Sequence, residues 1–392
     1  MYIHYNILSQ YFRNGKEFER NAFTFLTHYA KIFQILRNGG EVVEFSEQKS
    51  VWETLAEANV PVIMYGTGNG ADKVFEHLAR LGVKVSGVAA SDGFVRERTF
   101  HGFKVRPVSD FEKEYGDFTV IVAFGSSRPE VIGNIKNLAL RRRVLVPCVP
   151  VAGSDIFDRE RAVKYIEKIN AARELLYDEE SRRVYDGVLD FMFTGRLGSL
   201  FGVESAQSEA YENIIKLGKE ECYVDIGAYR GDTVERFLTM TGGEYAHIIA
   251  AEPDTKSFNK LMLACGGLEN FTAVNAAVTG VDGEVGFYDY AGRQSAVGGE
   301  KTVKSVTLKT LCGDIAPTYI KIDAEGCERE ILEGGRAVIA GNLPAMEIAA
   351  YHRTADIYEL PLLLHEIAPQ LKIHLRHHPY IPAWDTLIYC TK

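Results

Sequence analysis

One short stretch, Glu221–Thr233, constrains the fold of this chain more than any other. Its sequence, ECYVDIGAYRGDT, is an apolar run that ends in a glycine turn, and apolar residues at helical spacing follow it. This pattern predicts a strand, a tight turn and a helix, with glycines where the backbone passes close to a ligand. We therefore predict a ligand-binding βα junction. Its predicted binding residues are Gly227, Ala228, Gly231, Asp232 and Thr233.

Acidic residues around this turn indicate which ligand it binds. Glu252 follows a predicted strand at 247–251, the position from which nucleotide-binding sheets hold ribose hydroxyls. Asp225 and Asp232 would repel a pyrophosphate but suit the ammonium and sulfonium charges of S-adenosylmethionine, which favours that cofactor over NAD. At the end of the next predicted strand, Asn275 and Ala276 are predicted to hold adenine.

The motifs of the second half stand in an order that resembles one known family. They are VDIGAYRGDT, AEPD, NAAVTG, KIDAEGCEREILEGG and MEI. Over about residues 205–392 the chain resembles the FkbM family of S-adenosylmethionine-dependent methyltransferases. The resemblance implies methylation of a hydroxyl and places a loop at 292–299 near the reaction centre. Around residues 100–105, FHGFKV resembles the Rossmann-like N-terminal domain attached to sugar acyltransferases.

Length and composition indicate a folded protein with more than one core. The chain has 392 residues, of which 46% are hydrophobic and 25% charged. A net charge of -9 argues against nucleic acid or an anionic membrane as the main partner, and no apolar run is long enough to span a bilayer. The six cysteines form no metal-binding or C-x-x-C spacing. We predict a cytoplasmic protein with reduced thiols and a small-molecule or glycan acceptor.

Alternating strand and helix patterns predict an α/β protein with two Rossmann-like doubly wound sheets joined by a helical segment. The predicted divisions are an N-terminal helical segment at 1–58, a Rossmann-like domain at 59–153, a helical connector at 154–219 and a methyltransferase-like domain at 220–392. The aromatic-rich helical segment is predicted to pack in a core or at a contact between the subunits of a homodimer.

The first Rossmann-like unit has two open interpretations. One is a pocket for a nucleotide or nucleotide-sugar, formed by the glycine loop at 66–70 with Asp92 and Ser126. The other is a domain that keeps the fold and binds nothing, since a fold alone does not establish a function.

Methyl transfer to a poor nucleophile such as a sugar hydroxyl benefits from a general base. The candidates are Asp323 first, with Glu325 as its neighbour, then Glu347 and His352. A carboxylate in a closed site can have its pKa raised towards neutrality. In the alternative, the acidic residues at 325 and 328 only begin a helix or pair with a lysine.

No metal site is predicted, because His377, His378 and Asp385 match no standard ligand set. Tyr211 either covers the cofactor or packs on the sheet. The alternatives to a methyltransferase are a nucleotide-binding protein without turnover and an NAD-dependent oxidoreductase, which lacks a Tyr-x-x-x-Lys pair beside the first glycine loop.

Overall fold

The computed structural model describes residues 43, 45–68, 70–95, 98–288, 296–297 and 301–392. The helical pattern predicted for residues 1–42, Asn69 in the first glycine loop, and all of the predicted 292–299 loop except 296–297 lie outside these ranges. Within them, no helix has both the length and the apolar character needed to cross a bilayer.

The first sheet is built from short strands. They are β1 (Val62–Tyr65), β2 (Val85–Ala90), β3 (Thr99–Phe100), β4 (Phe103–Pro107), β5 (Thr119–Val122) and β6 (Arg143–Leu145). Of these, β1 and β5 are buried along their whole length. Their spatial order is β3-β4-β2-β1-β5-β6, and all neighbours are parallel except β3 and β4. Strand β2 lies on one side of β1 and β5 lies on the other, so the strand order reverses at β1. The crevice at the carboxyl end of β1 is therefore a topological switch point.

Four helices flank this sheet: α1 (Val51–Ala56), α2 (Ala71–Arg80), α3 (Val108–Glu114) and α4 (Pro129–Ala139). A capping box begins α1, since Ser50 Oγ accepts the amide of Glu53 at 3.3 Å and the Glu53 carboxylate accepts the amide of Ser50 at 2.8 Å. Local sequence therefore sets the start of this helix.

Helices also connect the two sheets. They are α5 (Arg159–Glu174), α6 (Glu179–Thr194), α7 (Leu197–Phe201) and α8 (Gln207–Ala210), and a π-helical turn (Tyr211–Ile215) follows α8. Asp158 and Asp178 cap α5 and α6 with their carboxylates, and Gly195 ends α6 in a left-handed conformation. These caps explain the lengths of the two long helices.

The remaining strands, in chain order, are β7 (Cys222–Ile226), β8 (His247–Ala251), β9 (Phe271–Val274), β10 (Ala277–Val278), β11 (Gly283–Tyr288), β12 (Ala296–Val297), β13 (Lys301–Val306), β14 (Tyr319–Ile322), β15 (Ala345–Ala349), β16 (Lys372–His377) and β17 (Thr386–Thr391). Seven of them form the second sheet in the order β16-β17-β15-β14-β7-β8-β9. Only β17 runs antiparallel to its neighbours in this sheet. The predicted α/β class with parallel-dominated sheets is confirmed.

A smaller sheet stands beside the second one, in the order β10-β13-β11-β12. In this sheet β11 and β13 pair antiparallel. The helices of this half are α9 (Asp232–Thr241), α10 (Thr255–Cys265), α11 (Leu308–Cys312), α12 (Glu328–Gly334), α13 (Arg336–Asn342) and α14 (Asp356–Ile367).

Candidate active site

The turn after β7 approaches the end of β14 so closely that only glycine fits. Gly227 has φ +79°, and a Cβ there would overlap the carbonyl oxygen of Asp323 and lie 3.0 Å from its carbonyl carbon. Lys321 Nζ donates to the Gly227 carbonyl at 3.0 Å. The glycine turn and the Asp323 segment therefore form one rigid surface.

A row of charged side chains crosses the sheet beneath this turn. Lys321 on β14 stands in register with Asp225 on β7 and with Glu347 on β15. Its ammonium lies 3.5 Å from Asp225 Oδ1 and 3.7 Å from Asp323 Oδ2. Asp225 is 0% exposed and also accepts the hydroxyl of Thr233. Burial opposes the charge of Lys321, but these carboxylates raise its pKa and keep it protonated.

Glu252 lies directly after β8, where the sequence predicted it. Its carboxylate accepts the amides of Tyr229 at 2.9 Å and Asp254 at 2.8 Å, which fixes its orientation. Burial raises its pKa to about 7, and these two amides oppose the rise. Asn275 donates to the Glu252 carbonyl at 2.7 Å, so its amide holds this loop in place.

A cavity of about 350 Å³ opens above the carboxyl ends of the strands. That volume is within the usual range for small-molecule sites. Of the predicted residues, those that line the cavity are Gly227, Asp232, Thr233, Glu252, Ala276, Asp323, Glu325 and Glu347. The others lie behind its wall: Asp225, Ala228, Gly231, Asn275 and His352. These five residues pack behind the residues that line the cavity.

Gly231 and Ala228 illustrate why some predicted residues do not face the cavity. Gly231 has φ +93° and begins α9, and a Cβ there would lie 2.7 Å from Cys265 Sγ. Ala228 is 0% exposed, and its amide donates to the Ala251 carbonyl at 3.0 Å. Both residues fit the turn to its neighbours within the fold.

The acidic end of the cavity is organised by a buried histidine. His352 Nδ1 lies 2.8 Å from Glu328 Oε1, while its Nε2 lies 3.4 Å from Asp323 Oδ1 and 3.6 Å from Glu325 Oε2. Glu328, 0% exposed, also accepts the amide of Ala324 at 2.8 Å. His352 therefore stands behind the two cavity carboxylates and positions them.

The charges of this cluster explain its shifted pKa values. Burial alone would lower the pKa of His352, but Glu328 and then Asp323 and Glu325 raise it to about 10. Burial raises the pKa of Glu325 to about 7, against the attraction of His352. Asp323, Glu328 and His352 are close enough to suggest a cation site. However, the two carboxylates meet opposite edges of the imidazole, which is the arrangement of an ion-paired imidazolium.

The comparison that decides the family concerns the half of the chain that carries this cavity. Residues 225–371 match the sequence profile of the family described as Methyltransferase FkbM domain. They belong to the FkbM methyltransferase family. The resemblance predicted from the motifs is thereby confirmed, and the FkbM domain contains the glycine turn, Glu252, Asp323, Glu325 and His352.

A solved FkbM methyltransferase shares the fold. The chain is similar to methyltransferase FkbM from Methylobacillus flagellatus, with a TM-score of 0.66 and 20% identity over 88% of this chain and 94% of that one. Weaker similarity extends to precorrin-6y C5,15-methyltransferase from Geobacter metallireducens, with a TM-score of 0.29 and 13% identity over 45% and 83%. Aeropyrum pernix fibrillarin has a TM-score of 0.28 and 12% identity over 44% and 67%. No curated protein sequence matches the chain.

The FkbM domain also has a buried polar network that the motifs did not reveal. Glu347, 3% exposed, accepts Arg236 Nη2 at 3.2 Å and the hydroxyl of Tyr319 at 3.3 Å. Arg236 in turn donates to Gln207 at 2.7 Å, and Arg236, Gln207 and Glu347 all line the cavity. Arg236 lies outside the buried stripe of α9, which consists of Val234, Phe237 and Thr241, so helical periodicity gave no signal for this network.

Tyr211 belongs to the same network. Its hydroxyl donates to Glu347, and its ring packs in the core of the FkbM domain. Its side chain does not line the cavity. Of the two interpretations left open by the sequence, the structure favours packing on the sheet.

The glycine loop of the first sheet is occupied by side chains of this chain. A Cβ on Gly66 would overlap the Phe124 ring, and one on Gly68 would lie 2.9 Å from Phe124 Cβ. Gly70 faces the Trp384 ring, and the void beside it measures about 10 Å³. Among the described residues, this crevice therefore has no room for the predicted nucleotide or nucleotide-sugar.

The other residues predicted for that pocket have partners within the protein. Asp92 accepts the amide of Ser109 at 3.2 Å. Ser126 pairs with Ile381, donating its amide at 2.8 Å and accepting in return at 3.0 Å. Both serve the packing of the first unit and its contact with the FkbM domain.

Proposed function

We propose that this protein is an S-adenosylmethionine-dependent O-methyltransferase that acts on a hydroxyl of a sugar, glycan or secondary metabolite. One observation carries the proposal. A single cavity is lined both by the glycine turn with Glu252 and by Asp323 with Glu325. The first pair suits a nucleoside and the second suits a hydroxyl.

The residues present fit the cofactor. Gly227 lines the cavity, so the backbone of the turn can lie next to a ligand, and Glu252 is positioned to accept the two ribose hydroxyls. Ala276 lines the cavity two strands from the turn, where an adenine would pack on apolar surface.

The charge of the cavity favours a cationic cofactor over a dinucleotide. Asp232, Glu252, Asp323 and Glu325 all line it, whereas its lysine and arginine are already paired with carboxylates. A pyrophosphate would meet uncompensated repulsion, while a sulfonium and an ammonium would be attracted. This charge distribution also disfavours the NAD-dependent alternative.

S-adenosylmethionine supplies the methyl group from a sulfonium, which becomes a neutral thioether as the acceptor oxygen forms the new O–C bond. The protein must then receive the hydroxyl proton. We assign that proton to the Glu325 carboxylate, because a base with a pKa of about 7 is half ionised at neutral pH. Asp323 holds the hydroxyl in line with the methyl group, which supplies orientation.

His352 acts through these two carboxylates. Its positive charge lies within 3.6 Å of both, so it fixes their orientation and favours their ionised forms. Glu328, in contact with the other ring edge, holds the imidazolium. In this proposal His352 is a positioning residue, because its side chain lies behind the cavity wall.

Calorimetry of the full chain with S-adenosylhomocysteine tests the cofactor assignment. Glu252→Gln should weaken binding about tenfold, since each lost charge-assisted hydrogen bond is worth about 1.5–3 kcal/mol. Glu235→Gln is the matched control, because this glutamate is exposed on α9 outside the cavity. Absence of binding by the unmodified protein would refute the proposed cofactor. Binding without methyl transfer to any member of a broad panel of alcohols would favour the non-enzymatic alternative.

A further inference from the structure

The loop between β16 and β17 occupies the place where the first sheet would hold a ligand. This loop, residues 378–385, pairs its Ile381 with Ser126 through two backbone hydrogen bonds. The ring of Trp384 lies against Gly125, where a Cβ would be 2.6 Å from its Cε3, and its Nε1 donates to the Val149 carbonyl at 3.2 Å. The switch-point crevice of the first sheet thus holds the segment that connects β16 and β17 of the second sheet.

The other side of this loop lines the catalytic cavity. Tyr380, Trp384 and Asp385 reach it from the loop, and Ser127 reaches it from the first unit. In the strand order, β17 is four steps from β8, which is roughly 19 Å at the usual strand spacing. These four residues therefore lie at the end opposite Glu252, next to Asp323 and Glu325.

A second contact between the units supports the catalytic turn. The amide of Ala152, in the segment after β6, donates to the His352 carbonyl at 2.8 Å. A Cβ on Gly326 would lie 2.6 Å from the Ala152 Cβ, so this segment packs directly against the turn that carries Glu325. The first unit thus fixes both the loop and the proposed base.

The residues at this end indicate what they bind. Tyr351 and Tyr380 are half-buried rings that line the cavity, and Asp323, Glu325 and Asp385 add carboxylates, which only accept hydrogen bonds when ionised. Aromatic rings pack against the C–H face of a pyranose, and carboxylates accept its hydroxyls.

The cationic side chains that line the cavity are already paired with carboxylates of the protein. Among its described lining residues, Arg236 and Lys321 are the cations. Arg236 is paired with Glu347, and Lys321 with Asp225 and Asp323. A phosphate or carboxylate on the acceptor would therefore meet repulsion at this end.

We propose that the first unit, by holding the 378–385 loop, completes an acceptor site for an uncharged sugar ring, formed by Ser127, Tyr380 and Asp385 and supported by Trp384. This inference rests on the proposed function, whose methyl acceptor it narrows. It excludes nucleotide-sugars and acidic sugars as acceptors, and it gives the first unit a role in acceptor specificity.

The test uses saturation-transfer-difference NMR of the full chain, loaded with S-adenosylhomocysteine. The probes are methyl α-D-glucopyranoside, methyl α-D-mannopyranoside, methyl β-D-galactopyranoside and methyl α-L-rhamnopyranoside, with methyl β-D-glucuronide and UDP-glucose as anionic counterparts. Neutral glycosides should show saturation transfer and the anionic compounds should not. Ser127→Tyr should weaken glycoside binding at least about tenfold, which corresponds to about 1.4 kcal/mol. Arg128→Tyr, the matched control at the neighbouring exposed residue outside the cavity, should stay within about twofold.

Two further measurements separate the possible failures. Tyr380→Leu should lower glycoside affinity through loss of the ring, and calorimetry should show unchanged S-adenosylhomocysteine affinity in all variants. Preference for the anionic probes, silence of every neutral glycoside, or full glycoside binding by Ser127→Tyr would overturn the inference. Failure of S-adenosylhomocysteine to bind would instead overturn the proposed cofactor.

Discussion

Replacement of Gly227 by alanine tests the close approach on which the cofactor end depends. The residue has φ +79°, and the new Cβ would overlap the Asp323 carbonyl oxygen and lie 3.0 Å from its carbonyl carbon. That carbonyl belongs to the main chain, and the Asp323 amide is itself bonded to the Ile226 carbonyl at 3.0 Å. The new Cβ would force the turn and Asp323 apart. Because each of these strand ends is held by backbone hydrogen bonds, this separation would cost some of those bonds.

Gly242→Ala is a control that isolates the steric part of this cost. Gly242 has φ +67° in the same domain, but nothing lies within 4 Å of a Cβ built there. An L-residue other than glycine in this left-handed backbone region costs about 1–2 kcal/mol, so the unfolding free energy of both variants should fall by that amount. Overpacking should cost Gly227→Ala about 1–3 kcal/mol more.

Two assays measure the difference between these variants. A further loss of about 2 kcal/mol should lower the Tm of Gly227→Ala by about 4–8 °C relative to Gly242→Ala. Calorimetry should show S-adenosylhomocysteine affinity about tenfold weaker for Gly227→Ala, or about 1.4 kcal/mol, and unchanged for Gly242→Ala. Equal Tm values and equal affinities would show that the close approach is not what the site requires.

Three other predictions concern the charged residues. Lys321→Met should destabilise the protein by about 3–5 kcal/mol because Asp225 becomes an unpaired buried charge, and adding Asp225→Asn should recover most of the loss in urea unfolding. The kcat for an accepted alcohol should rise with pH through about 7 as Glu325 ionises. Glu325→Gln should lower kcat about 10²–10⁴-fold and flatten the dependence of kcat on pH. An unchanged pH dependence in this variant would exclude Glu325 as the base. Because the pKa of His352 is raised to about 10, its stabilisation is complete below its unfolded pKa of about 6.5 and is lost as pH rises through 10. The unfolding free energies of the unmodified protein and His352→Gln should therefore differ more at pH 6 than at pH 10.5, and a constant difference would argue against the imidazolium.

Local patterns predicted many elements of the FkbM domain correctly. The predicted strand at 247–251 coincides with β8, and the strand, turn and helix predicted from Glu221–Thr233 are β7, the glycine turn and α9. Each of these strands and the helix is an apolar run or stripe bounded by glycine or proline, so its limits depend on neighbouring residues alone. Glu252 was placed correctly for the same reason, because it follows its own strand directly.

Side-chain direction within the sheet could not be predicted in the same way. Asp225 was expected at the cofactor, but its carboxylate pairs with Lys321, which stands opposite it on β14. These two residues are 96 positions apart in the chain, and only the strand order brings them together. His352 likewise became a positioning residue because Glu328 and the end of β14 enclose it.

The sequence by itself determined the succession of strands and helices, the family of the second half and the position of the glycine turn, because short-range periodicity and turn chemistry encode these features. Tertiary structure alone decided which carboxylates face the cavity, which of them are paired, and that Trp384 fills the crevice of the first sheet. Those outcomes depend on contacts between distant segments, whose geometry follows from strand order and packing.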